Sequence, residues 1–356
     1  MGLPPSQVAR AILPRAMVLL VGAAALVVVA AGVRAIAWLV GPVFLALVIV
    51  IAIAPVAAAL RRHGWPRWLV TPILVTLACG TLLVVTFGIA FAAAHLAALL
   101  PQYAGRATQL TNDATATLAR LGIASGQLKE AAAAVDPSKV VAVVSRLLGG
   151  VAGIVSDLVF LFALLLFLGA ESVGVRERIA TIAADRPGIA RALGRFAVGT
   201  RRYLVVTTVF GLIVAALDTI ALAIIGIPQV ITWGVLAFVT NYIPNIGFLL
   251  GLVPPALLGL LIGGPSEMVI VIVVYIALNF VLQSLVQPRF VGDAVGLSAT
   301  VTFLALVFWA WLLGPLGAIL AIPATLLAKA MLVDIDPRAR WADALMRDAR
   351  KQPERE

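Results

Sequence analysis

Two acids lie inside otherwise apolar stretches: Asp218, near the middle of Tyr203–Gly226, and Asp157, toward one end of Val151–Ala170. A carboxylate at the centre of a bilayer costs ~3 kcal/mol or more, so such residues usually face a cavity, a partner or a proton path. Asp218 is therefore the candidate for coupling to a proton or a sodium ion. The competing reading is a buried acid held neutral by desolvation and bonded to Thr219 or a neighbouring helix. Solvation at the interface accounts for Asp157. A second polar group interrupts the uncharged 35-residue run Gln229–Gly263 at Asn241-Tyr-Ile-Pro-Asn-Ile-Gly247. Here Asn241 and Asn245 stand beside backbone released by Pro244 and Gly247. Half-helix N-termini suit anions and released carbonyls suit cations; the alternative is a kink that the asparagines merely heal. A third group, Asn279, Gln283 and Gln287, follows i, i+4, i+8 spacing and puts three amides on one helix face. Such a stripe serves either as glue between helices or as the wall of a path.

Other chemistry is missing from the sequence. It contains no GxxxxGK[ST] loop for a nucleotide-driven motor, no HExxH, no GxSxG and no cysteine–histidine cluster. One cysteine, Cys79, and two histidines give no disulfide framework or metal site. The chain is not expected to be an enzyme or to carry a cofactor beyond a coupling proton or sodium ion. Trp233, Trp309 and Trp311 fit interface anchoring or packing, and His95 an interfacial position. The small-xxx-small pairs Gly247/Gly251 and Gly259/Gly263 fit close helix packing.

The elements that must position these residues follow from composition. Of 356 residues, 63% are hydrophobic and 12% charged, and the mean hydropathy is +1.12. That balance belongs to a polytopic membrane protein. The net charge of +10 does not indicate nucleic-acid binding, because the Arg and Lys residues fall in short connections. Apolar runs of spanning length are Met17–Val33, Ile36–Leu60, Leu69–Leu100, Val151–Ala170, Tyr203–Gly226 and Met268–Gln287, with two interrupted 35-residue runs, Gln229–Gly263 and Leu297–Met331. Met17–Val33 follows Arg10 and Arg15 as a signal peptide would, but further spans follow at once, and it reads as a retained first helix.

Arg and Lys bias places the N-terminus, connections 61–67 and 171–202, and the C-terminal tail on the cytoplasmic side, with Arg34 a lone exception outside. Segment 101–150 is then external and helical, a spacer or oligomer contact. Segment 171–202 reads as a basic amphipathic stretch along the cytoplasmic headgroups. As one straight helix, Gln229–Gly263 would be ~52 Å long against a hydrocarbon core of ~30 Å. Two half-length arms fit better, as a hairpin that enters and leaves on the outer side. Leu297–Met331, broken at Gly314-Pro-Leu-Gly317, reads as a second hairpin of opposite orientation. Paired Gly/Pro-broken segments in corresponding positions point to the binding site of a secondary transporter. The competing reading makes each run one long kinked span and moves Arg289 outside.

The expected architecture is an all-α polytopic membrane protein of about eight segments with an inverted repeat. Its divisions are a cytoplasmic N-terminus (1–16), N-terminal membrane helices (17–100), the external segment (101–150), a membrane helix (151–170), the cytoplasmic basic segment (171–202), the transport repeat (203–331) and a cytoplasmic tail (332–356).

Three strings carry a family resemblance: Gly234-Val-Leu-Ala-Phe-Val-Thr-Asn-Tyr-Ile-Pro-Asn-Ile-Gly247; Gln287-Pro-Arg-Phe-Val-Gly292 with Val295-Gly-Leu-Ser298; and Gly314-Pro-Leu-Gly-Ala-Ile-Leu-Ala-Ile-Pro323. Together they resemble the motifs of the autoinducer-2 exporter family, bacterial and archaeal permease-like proteins of the inner membrane. The resemblance extends over most of the chain. It implies an oligomeric transporter of about eight segments that moves a small polar solute outward without ATP, or, as in some members, a sodium/proton antiporter. A non-transporting scaffold is the third reading. The resemblance marks Asn241, Pro244, Gly247, Pro288, Gly292, Gly314, Gly317 and Pro323 as motif positions, with Pro315 inside the last string. Asn245 and Phe248 stand where many members carry Tyr and Pro, a departure that bears on the substrate. The partners expected are membrane lipid, the solute and further copies of the chain.

Overall fold

The structure is a computed structural model that describes residues 15–66, 68–80, 82–83, 86–88, 91, 109, 159–171, 174–244, 246–287, 297–336 and 339–346. Asp157, His95, Asn245, Pro288, Gly292 and nearly all of segment 101–150 lie outside them. The described residues form helices and no strand. They are α1 (Arg15–Ala35), α2 (Ala37–Arg62), α3 (Trp68–Gly80), α4 (Val159–Glu171), α5 (Val175–Asp185), α6 (Pro187–Ile225), α7 (Val230–Thr240), α8 (Gly247–Gly263), α9 (Pro265–Asn279), α10 (Ala299–Leu313), α11 (Pro315–Ile319), α12 (Ala321–Lys329) and α13 (Arg340–Met346). Ala37–Arg62, Pro187–Ile225 and Pro265–Gln283 are long and apolar enough to cross a membrane.

The long helix α6, of 39 residues, organises the rest. Pro187 opens it at a position that needs no amide donor. Gly226 closes it at φ 91°, a left-handed conformation that glycine adopts without strain, and the Gly226 and Ile227 amides both return to the Leu222 carbonyl. The helix runs unbroken through residues 202 and 203, the boundary expected between a surface segment and a span. Pro187–Arg202 is thus the lower part of the spanning helix, and only α5 before it is separate. The cause is local: 187–202 contains no internal Pro and its apolar stripe continues, with Ala192 and Phe196 buried in line with Thr207, Phe210 and Val214.

Each interrupted 35-residue run folds back on itself. In the first hairpin, α7 and α8 are antiparallel. A Cβ on Gly251 would meet Ala237 and the Thr240 hydroxyl, and one on Gly247 would land on the Thr240 carbonyl. In the second, a Cβ on Gly317 would land on the Trp309 carbonyl, and the Trp309 indole donates to Thr325 Oγ1 at 2.9 Å across the arms. A single kinked span would hold none of these pairs, so the straight-through alternative fails for both runs. Gly264 and Gly314 share one device: φ of 83° and 69° with strongly negative ψ, then a proline that starts the next helix.

The two hairpins lie against α6 in opposite directions. The first has its base beside Leu222–Gly226 and its tip beside Thr207. The second has its base beside Arg195, through Asp334, and Gly199, through Leu326. Its other end reaches α2 at Gly41, against Leu316, and α1 at Ala30, against Leu312 and Leu313. Arg34, at the end of α1, stacks 4.7 Å over the Trp311 ring. A core of Phe44, Val48, Phe196, Leu320, Ile322 and Leu326 joins α2, α6 and the second hairpin. Beyond the second hairpin, α13 folds back so that the Met346 carbonyl accepts the Ser298 amide at 2.9 Å.

Candidate functional site

Three elements meet along one face of α6 and build a polar seam. At its lower end the Asn241 amide, at the tip of the first hairpin, donates to the Thr207 carbonyl at 3.2 Å. Its carbonyl oxygen accepts from Gln283 Nε2 at 3.2 Å, and the same nitrogen donates to Asn279 Oδ1 at 2.9 Å. Asn279 in turn donates to the Tyr275 carbonyl at 2.9 Å. One amide on α9's extension thus ties the hairpin tip to α9, while Asn241 ties it to α6.

The geometry has a sequence cause at each point. Gly211 leaves room for Asn241, since a Cβ there would come within 2.9 Å of the amide nitrogen. Beyond Asn279 the helix widens into a π-helical stretch, Phe280–Val286. Such stretches occur often at functional sites. Gln283 lies within this stretch and joins the seam, while Gln287 makes no hydrogen bond to it, so two of the three striped amides converge.

Sequence reasoning missed a tyrosine–threonine cluster on the other side of the tip. Tyr203 donates to the Tyr242 carbonyl at 3.1 Å, and Thr208 Oγ1 and the Tyr242 hydroxyl lie 2.7 Å apart. The signal was available: Tyr203, Thr207 and Thr208 recur at helical spacing with Gly211, in an otherwise apolar span. This cluster also takes up part of the backbone at the break. Tyr203 takes the Tyr242 carbonyl, the Ile243 amide returns to Thr240, and the Gly247 amide returns to Ile243. Among the described residues of the break, these carbonyls and amides are hydrogen-bonded.

At the upper end of the seam stands Asp218, 1% exposed. It is not bonded to Thr219, whose hydroxyl donates to the Ala215 carbonyl at 2.7 Å. Tyr275 of α9, also 1% exposed, packs in a cluster with Leu222, one turn further along α6 than Asp218. The remaining sequence candidates sit at packing points. Gly247 and Gly317 occupy the closest approach between hairpin arms. Gly314 supplies the positive φ, Pro315 the first residue of α11, and Pro323 falls in the first turn of α12, where a missing amide costs little. Gly317 approaches Trp309 and Leu313, and the neighbouring Leu312, Leu313 and Leu316 pack on α1 and α2, so this break does not join the Asn241 network. An apolar groove of about 430 Å³ opens beside the base of the first hairpin, between Phe91 and Val235. It contains none of the seam residues.

No group of three or more metal-ligating side chains occurs among the described residues. The seam offers neutral donors and acceptors, one carboxyl group and no cation. That set can bind and pass a small hydrogen-bonding solute or a proton.

Comparison with known proteins agrees over nearly the whole length. The chain is 30% identical over 328 residues to a putative transport protein of Haemophilus influenzae, covering 91% of this chain and 94% of that one. It is 31% identical over 307 residues to the AI-2 transport protein TqsA of Escherichia coli K12, covering 86% and 89%. To the putative transport protein YhhT of the same strain it is 29% identical over 314 residues, covering 88% and 89%. With residues 23–335 matching the model of the AI-2E family transporters, with spanning helices and with a polar seam between them, the chain belongs to that family and is a multi-pass membrane transport protein.

Proposed function

We propose that this protein is a secondary transporter that exports a small polar solute across the bacterial inner membrane without ATP. The observation that carries the reading is the seam, where Asn241, Asn279 and Gln283 join the tip of a hairpin to two long helices through amide hydrogen bonds. A tip held by a few side-chain bonds can leave and return, which alternating access requires. Two hairpins directed oppositely along α6 support an inverted repeat of span plus hairpin, within about eight membrane segments. The solute is read as a signal of the autoinducer-2 kind or a related metabolite, since one relative is named for AI-2 transport. The termini are placed in the cytoplasm by charge bias, and the exposed apolar faces of α1, α6 and α9 suit contact with lipid or with further copies of the chain.

The second reading is a sodium/proton antiporter, in which Asp218 would carry the proton. Flux into proteoliposomes separates the two. Solute efflux that persists without sodium and falls in Gln283→Leu supports export. Sodium-driven proton movement with no solute flux supports antiport. Absence of any flux in a folded preparation leaves only a scaffold.

A further inference from the structure

Asp218, one turn before Leu222 on α6, and Tyr275, packed in the Leu222 cluster, have polar atoms with no hydrogen-bond partner among the described residues. Both Asp218 carboxyl oxygens and the Tyr275 hydroxyl are buried without a hydrogen bond. Among the described residues, the elements around them supply no compensating charge. On α6 the nearest cation is Arg202, sixteen residues or ~24 Å along the helix. Neither α7 nor α8 contains a charged residue. On α9 the one other titratable group is Glu267, eight residues or ~12 Å before Tyr275 and also an acid. Lys329 of α12 lies at the opposite end of α6, near Arg195. Tyr275 belongs to an apolar cluster with Leu222, Trp233, Leu258 and Val271, and the Trp233 indole is spent on the Pro228 carbonyl at 3.0 Å.

An ionised carboxylate in such surroundings is strongly disfavoured, and the group either neutralises or holds a cation. Hard cations take about six or more oxygen ligands. Here the buried oxygens left without a partner among the described residues are two of a carboxyl group and one phenol. At this depth α6 and α9 are unbroken α-helices whose carbonyls are committed to their own ladders. The neighbouring hydroxyl of Thr219 is also committed.

We infer that Asp218 and Tyr275 make up a proton-binding site of the membrane interior, selective for the proton over sodium. In the closed seam Asp218 is a neutral carboxylic acid. When the seam admits water, the O–H bond of the acid breaks, the proton passes to a water molecule as hydronium, and the Tyr275 hydroxyl donates a hydrogen bond to the carboxylate left behind. Recapture of a proton from water on re-closing restores the acid. Tyr275 is a positioning residue that sets how readily Asp218 lets go.

The protonation itself does not depend on the export reading, and the test keeps the two apart. The full chain in lipid nanodiscs is followed by infrared difference spectroscopy across neutral to alkaline pH. The expected result is a carbonyl stretch of a dry protonated carboxyl group at neutral pH. It should vanish in Asp218→Asn, shift in frequency and midpoint in Tyr275→Phe, and stay unmoved when sodium replaces choline. A wild-type spectrum without that band at neutral pH overturns the proposal, as does loss of the band on adding sodium. If the band behaves as expected while no solute flux is found in proteoliposomes, the export reading fails and the proton site stands. Should Asp218→Asn not fold, carbon-13 labelling of aspartate in the wild type and the Tyr275→Phe shift decide the assignment.

Discussion

Gln283 holds two oxygens with one nitrogen, and that makes it the most informative single side chain in the seam. Replacing it with Leu leaves Asn241 Oδ1 and Asn279 Oδ1 without the donor they share. Hydrogen bonds between membrane helices contribute about 0.6 kcal/mol each on average and reach about 1.7. Gln283→Leu should therefore lower thermal stability in detergent by only ~1–2 kcal/mol. If the seam is the path, flux should drop about tenfold or more, because the tip loses its tie to α9. A loss of flux no larger than the loss of folded protein would remove Gln283 from the mechanism. On the facing side, Gly211→Ala drives a methyl toward the Asn241 amide. It should reduce flux while sparing the hairpin arms, whose own contacts do not involve Gly211.

Among the elements, the hairpins depend on two glycines in equivalent roles. Gly247 and Gly317 each sit where a neighbouring arm's carbonyl fills the space a Cβ would need. Gly247→Ala and Gly317→Ala should each cost ~1–3 kcal/mol by forcing packed backbones apart. Gly22→Ala, which meets nothing within 4 Å, serves as the control. Equal melting temperatures for all three would show that the arms are not held as described.

The base of the second hairpin is held differently, by ions. Lys329 Nζ lies 3.1 Å from Asp334 and 2.9 Å from Asp343 of α13, and Arg195 of α6 reaches Asp334 at 3.5 Å. Asp334 is 9% exposed at its side chain, so Lys329→Met strands an acid with one exposed partner. The expected loss is ~1–3 kcal/mol, less than for a fully buried pair because water reaches Arg195 and Asp343. Protection of α13 from proteolysis should fall with it. Unchanged cleavage near Arg340 would mean that α13 docks by other contacts.

For the whole molecule the testable quantity is sidedness. With Cys79 replaced by Ala, single cysteines at Gln229 and Asp336 report the bases of the two hairpins. Labelling of Gln229→Cys from outside only and of Asp336→Cys from inside only is the outcome that opposed hairpins require. Labelling of both from one side would reject the inverted arrangement and with it the mechanism of alternating access.

Composition alone settled that the solvent of this chain is lipid, since 63% hydrophobic residues leave too little polar surface to cover a soluble fold. Length arithmetic on Gln229–Gly263 and Leu297–Met331 was enough to demand a break, and the Gly/Pro positions said where. Asp218 and the amides at Asn279 and Gln283 stood out because polar groups in lipid are costly and few. What remained for the tertiary structure were the partners. Sequence spacing cannot say that Gln283 meets Asn241, 42 positions away, or that Tyr203 caps Tyr242. Nor can it say that Thr219 turns to its own helix and leaves both Asp218 oxygens without a partner among the described residues. Hydrophobic periodicity fixes which face of a helix is buried. Which helix lies against that face is decided by close approach at residues such as Gly211, Gly234 and Gly251, and only the packed molecule displays it.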